Sequence, residues 1–97
     1  MSSLPAWYFK LRALGMYHDD LNWLKEQFRL YPGLTFEQAW YMCQRPETLT
    51  WICRTLHPDL GRRAREAFDK PTRWLEQLRA DIPVEDVIKA LNGWGEL

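Results

Sequence analysis

Apolar residues recur at helical spacing along nearly all of this chain, and prolines and glycines cut that pattern into short pieces. A short amphipathic helix is stable only when its apolar stripe packs on another element. A run of such helices therefore has to collapse on itself. No stretch shows sustained apolar–polar alternation with β-branched enrichment, so no sheet is expected. Ninety-seven residues suffice for one core of ordinary small size. The expected fold class is all-α: a compact single-domain bundle of six or seven short helices over residues 1–97.

In chain order, Ser3 can cap a first helix with Pro5 in its first turn, and Leu4, Trp7, Tyr8 and Leu11 share one face before a stop at Gly15. Asp19 or Asp20 starts a second helix with the stripe Leu21, Leu24, Phe28, Tyr31, which leaves Trp23 off the stripe. Tyr31-Pro32-Gly33 is a turn. Thr35 and Gln38 form a capping-box pattern before Phe36, Ala39, Trp40 and Cys43. Pro46 closes that helix and opens the next, with stripe Leu49, Ile52, Cys53, Leu56. His57-Pro58 ends it, and Asp59 can cap a fifth helix with Leu60, Ala64, Ala67 and Phe68 facing in. Lys70-Pro71 is a kink or a break before Trp74, Leu75, Leu78 and Ile82. A last helix begins at Pro83 with stripe Val84, Val87, Ile88, Leu91; Asn92-Gly93 stops it, and Trp94 can fold back on Ile88 in a Schellman-type end.

Six tryptophans, four tyrosines and four phenylalanines are many for a domain this small. Each buried indole N–H needs a partner, so some of these rings are expected at the surface, where Trp, Tyr and Arg are enriched in interface hot spots. Formal net charge is zero, with 13 basic and 13 acidic residues. A strongly basic nucleic-acid footprint is therefore missing, although the basic residues concentrate in 45–79 and the acidic excess in 80–97. No run reaches the length of a membrane span, and the N-terminal residues do not read as a signal peptide. With two cysteines, free thiols in a reducing cytoplasm are expected.

Cys43, Cys53 and His57, with His18, form the one combination that suggests zinc. Nine residues separate the cysteines, however, unlike the close pairs of structural zinc sites, and both lie at stripe positions where a thiol acts as a small hydrophobe. Nucleophilic catalysis would need an exposed thiolate beside a base, and no phosphate-cradling glycine loop or nucleophile elbow is present. No catalytic residue, metal or cofactor is expected. His57-Pro58-Asp59 is also the tripeptide of J-domain co-chaperones, but the preceding helix is interrupted by Pro46 and lacks a basic face, and a helix stop followed by a cap accounts for it.

Residues 39–52 carry Ala39-Trp40-x-x-Cys43-x-Arg45-x-Glu47-x-Leu49-x-Trp51-Ile52. This resembles a motif of small helical proteins encoded by bacteriophages and prophages, A-W-x-x-C-x-R-G-[DE]-W-L-x-W-L, with Pro46 in place of glycine and Thr48 in place of an aromatic. The motif is a helix–turn–helix corner, thiol and indole inside and Arg and acid at the turn. The resemblance implies a phage accessory protein acting in the bacterial host cytoplasm. Phage proteins of this size and aromatic content are often inhibitors of a host complex, anti-CRISPR proteins among them.

The expected function is accordingly a non-enzymatic module that binds a host protein or complex. The expected contact residues are the outward aromatics and arginines Trp23, Arg62, Arg63, Arg65, Arg73 and Trp74. Two other outcomes stay open: a nucleic-acid-associated protein using the arginines of residues 62–79, and a self-assembling subunit such as a homodimer built on the tryptophans.

Overall fold

A computed structural model describes residues 4–69 and 73–94. Seven helices follow one another without a strand among those residues: α1 (Ala6–Leu14), α2 (His18–Leu30), α3 (Phe36–Met42), α4 (Pro46–Leu56), α5 (Pro58–Phe68), α6 (Trp74–Asp81) and α7 (Val84–Gly93). The all-α, single-domain expectation holds. α5 and α6 are separate helices; Lys70 and Pro71, between them, lie outside the described residues, as does Ser3.

The stripes read from the sequence make the core. Tyr8, Leu11, Leu24, Phe28, Phe36, Ala39, Trp40, Cys43, Leu49, Ile52, Cys53, Leu60, Ala64, Ala67, Leu78, Ile82, Val84, Val87 and Leu91 are all buried. One end of this core is aromatic. The Trp7 ring lies 5.2 Å from Phe28 and 5.5 Å from Phe36, edge-on to the latter, and Phe36 stacks on Trp40 at 6.2 Å. Of the six tryptophans, Trp40 is buried, four are half-buried and only Trp94 is exposed.

Local chemistry sets the helix ends. At α1, Gly15 adopts φ 98°, its N–H donates to the Arg12 carbonyl, and the Met16 N–H reaches back to Leu11. This is a Schellman end closed by buried Met16. The corresponding expectation at the far end fails: Gly93 is still helical and Trp94 is 39% exposed. The Thr35–Gln38 capping box forms reciprocally, with bonds of 2.9 and 3.1 Å. The α3 carboxyl end is closed from outside its own helix. Arg79 of α6 donates through Nη2 to the carbonyls of Trp40, Tyr41 and Cys43 at 2.7–3.1 Å, and its guanidinium sits 5.5 Å above the Tyr41 ring. A cation at a helix carboxyl end meets both orphan carbonyls and the negative end of the dipole.

Four boundary expectations are corrected. Pro5 precedes α1 instead of sitting in its first turn. α2 begins at His18 without a side-chain cap, because Asp20 is drawn elsewhere: its carboxylate accepts from the Thr48 hydroxyl at 2.8 Å and pairs with Arg45 at 2.8 Å, tying α2 to the start of α4. His57, not Asp59, caps α5, its Nδ1 accepting from the Asp59 N–H at 3.1 Å. Pro83 is the residue before α7, which starts at Val84. Two stripe positions are corrected as well. Tyr31 stands outside α2 and is exposed, and Phe68 is 45% exposed.

Candidate interaction groove

α4 and α5 are joined by a single residue, His57, which closes one helix and caps the other. They fold back on each other because Gly61 carries no side chain. A Cβ added there would lie 2.8 Å from the Arg54 Cα, closer than two carbons can approach. Backbone meets backbone at this end of the pair. Farther along, the helices present Glu47, Thr50, Trp51 and Arg54 on one side and Arg65 and Phe68 on the other, lining a groove of about 280 Å³.

The spacing explains the lining. On α4, residues 47, 50, 51 and 54 recur as i, i+3, i+4, i+7, as the buried stripe does, but on the opposite side of the helix. On α5, Gly61, Arg65 and Phe68 repeat at the same spacing, about a quarter-turn from the buried Leu60, Ala64 and Ala67. Phe68 therefore belongs to the face toward α4, not to the core. The Trp74 ring of α6 lies 6.2 Å from the Phe68 ring and buttresses it.

Charge distinguishes this groove from the rest of α5. Arg62 pairs with Asp59 at 2.6 Å and Glu66 at 3.0 Å, and Arg63 with Asp59 at 2.9 Å and Asp86 of α7 at 3.7 Å. The side-chain hydrogen bond from Arg62, reinforced by Arg63, holds the Asp59 carboxyl below the usual carboxylate range. Arg73, in a left-handed conformation at φ 52°, lies 3.6 Å from Glu76. Arg54 and Arg65, both exposed, form no ion pair with any carboxylate among the described residues. Uncompensated guanidinium beside a half-exposed aromatic wall is the composition of an interface centre. Thr50 Oγ1, on the groove wall, is buried without a hydrogen-bond partner.

The six residues singled out from the sequence do not converge. Arg65 lies in the groove and Trp74 borders it through Phe68. Arg62, Arg63 and Arg73 are engaged with neighbouring acids. Trp23 is half-buried and turned inward, lining a small cavity with Trp7, Phe36 and Trp40. Its position beside the stripe of α2 was read as outward, but a long indole at the flank of a stripe reaches the core. Trp51, Arg54 and Phe68 were missed. Their helical spacing was visible, whereas the closeness of α4 to α5 that brings them together depends on Gly61.

The interior holds no comparable chemistry. The cavity between α1, α2, α3 and α4 has room for about 20 Å³, a single water, and the buried Trp40 Nε1 has no hydrogen-bond partner. Both thiols are buried. Desolvation raises the pKa of Cys43 and pushes that of Cys53 up to about 12, far from the thiolate a nucleophile or metal ligand needs. Among the described residues no three His, Cys, Asp or Glu side chains are grouped to hold a metal ion, and no helix is long and apolar enough to cross a membrane. Comparison of the chain with family models, with curated proteins and with solved structures finds no match.

Proposed function

We propose that this chain is a non-catalytic protein-binding module that engages its partner through the α4–α5 groove. The observation that carries the reading is the pair Arg54 and Arg65, unpaired by any described carboxylate, flanking Trp51 and Phe68. Of the residues lining the groove, Glu47 is the one possible base and the buried Thr50 hydroxyl the one alcohol, while the two guanidinium groups and the aromatic pair support binding instead. The likeness of residues 39–52 to the phage corner motif supports a phage origin, and with it a host protein or complex as the partner. Inhibition of that complex, anti-CRISPR or other anti-defence activity included, is the role proposed.

The nucleic-acid reading has less behind it. Arg62, Arg63 and Arg73 are compensated by Asp59, Glu66, Asp86 and Glu76, and Arg79 points at backbone carbonyls. A phosphate-tracking surface needs several uncompensated cations.

Affinity capture from bacterial lysate, with the wild-type chain beside an Arg54→Glu/Arg65→Glu variant, tests the proposal. The expected result is a stoichiometric protein retained by the first and lost by the second. Equal recovery by both, or recovery of nucleic acid alone, would overturn it.

A further inference from the structure

Taking the α4–α5 groove as the protein-binding surface, we infer that its occupant is an acidic helical segment that presents two carboxylates one turn apart beside an apolar side chain. The register of the helix pair gives the spacing. Arg54 lies against Gly61, and Arg65 is four residues farther along α5, so the two guanidinium groups spring from points about 6 Å apart along the groove at 1.5 Å per residue. Carboxylates at i and i+4 of a helix have the same rise. Arginine forks hold carboxylates in bidentate fashion, which rewards that match.

Three further features select a helix of this kind. Trp51, between the levels of Arg54 and Arg65, and Phe68, about one turn beyond Arg65, form an apolar strip that accepts one large aliphatic side chain beside the charges. A shallow groove between two helices takes a third helix, whose backbone is already satisfied, whereas a peptide bound by strand addition needs a sheet edge and none exists among the described residues. Glu47 stands at the end of the groove away from Arg54. It repels negative charge there, so the occupant's acidic half lies toward Arg54. A nucleic-acid backbone, with an evenly spaced charge at every step, meets that carboxylate wherever it runs along the groove.

The test uses the full chain and a labelled, helix-forming alanine-based peptide that carries Glu at i and i+4 beside one Leu. A Gln-for-Glu version and an oligothymidylate serve as comparisons. Binding is read by anisotropy and by amide and indole chemical shifts. The expected result is saturable binding of the Glu peptide, with the largest shifts at Trp51, Arg65 and Phe68. The Gln peptide should bind about tenfold more weakly, the equivalent of two partly exposed charge pairs. Arg54→Gln/Arg65→Gln, which leaves the buried residues untouched, should lose the preference for Glu while its circular dichroism stays that of the wild type.

Equal binding of the two peptides, tighter binding of the oligothymidylate, shifts centred on α1 and α2, or no binding at millimolar peptide would each overturn the inference. So would self-association of the free protein that the double variant abolishes, since the groove would then hold a second copy. If the Glu peptide fails while capture from lysate still depends on Arg54 and Arg65, the occupant's chemistry is wrong and the groove reading stands. If both fail, the groove reading falls too.

Discussion

Gly61→Ala is the substitution that separates helix propensity from packing in this fold. Gly61 lies inside α5, and replacing an interior glycine by alanine ordinarily stabilises a helix by about 1 kcal/mol. Here the new methyl would sit 2.8 Å from the Arg54 Cα, 3.1 Å from its Cβ and 3.4 Å from its Cγ. The nearest atom is backbone, so no rotamer change relieves the contact, and α4 and α5 must separate. Overpacking of this kind costs roughly 1–3 kcal/mol. Set against the propensity gain, the expected net effect is a loss of about 1 kcal/mol, which lowers Tm by roughly 4–8 °C in a domain of this size. Thermal unfolding followed by circular dichroism, checked by urea titration, measures it. A Tm equal to or above that of the wild type would refute the close approach of α4 to α5, and with it the register from which the groove is built.

Two other perturbations bear on the frame that carries the groove. Arg79→Ala removes the group that satisfies the carbonyls of Trp40, Tyr41 and Cys43, so urea unfolding should show a loss of about 2–3 kcal/mol, with Arg79→Lys recovering part of it; a change below about 0.5 kcal/mol would mean that water does the same work. The native thiols should be nearly inert to a disulfide reagent at pH 8 and react fully in denaturant, because with a pKa of about 12 Cys53 carries on the order of a thousandfold less thiolate than a free cysteine. The same rise has a sign in stability: below about pH 9 the thiol is protonated in both folded and unfolded chains, and above it only the unfolded chain sheds the proton, so Cys53 lowers stability progressively between about pH 9 and 12. Relative to a Cys53→Ala variant, the wild type should lose stability faster over that window, and parallel pH profiles would contradict the burial.

The patterns that held were set within single helices, although four helix-end readings of the same local kind, at Pro5, Asp59, Pro83 and Gly93–Trp94, did not hold. The Thr35–Gln38 box, Pro46 at the head of α4 and the stripes of α3, α4 and α7 are local patterns, and each formed as read. What required a partner in space was hidden. Asp20 looks like a helix cap until Thr48 and Arg45 claim its carboxylate. Phe68 extends the apolar series of α5 until Gly61 turns that face toward α4. Trp23 stands off its stripe, yet its ring is long enough to reach the cavity under Trp7 and Trp40. The arginines show the same division. All of them are visible in the sequence, but which are neutralised depends on acids such as Asp86, contributed by another helix. The corner of residues 35–56 contributes through both of its faces: Cys43, Leu49 and Cys53 hold the core, while Glu47, Trp51 and Arg54 form one wall of the groove.

Site-specific photocrosslinking tests the central claim most directly. A photoreactive phenylalanine analogue replaces Phe68 in one sample and the exposed Tyr31, just past the end of α2, in a second; each is irradiated in bacterial lysate. The account requires a covalent adduct with one protein from position 68, lost when Arg54 and Arg65 are reversed to glutamate, and none from position 31. An adduct from position 31 with none from position 68 would contradict it.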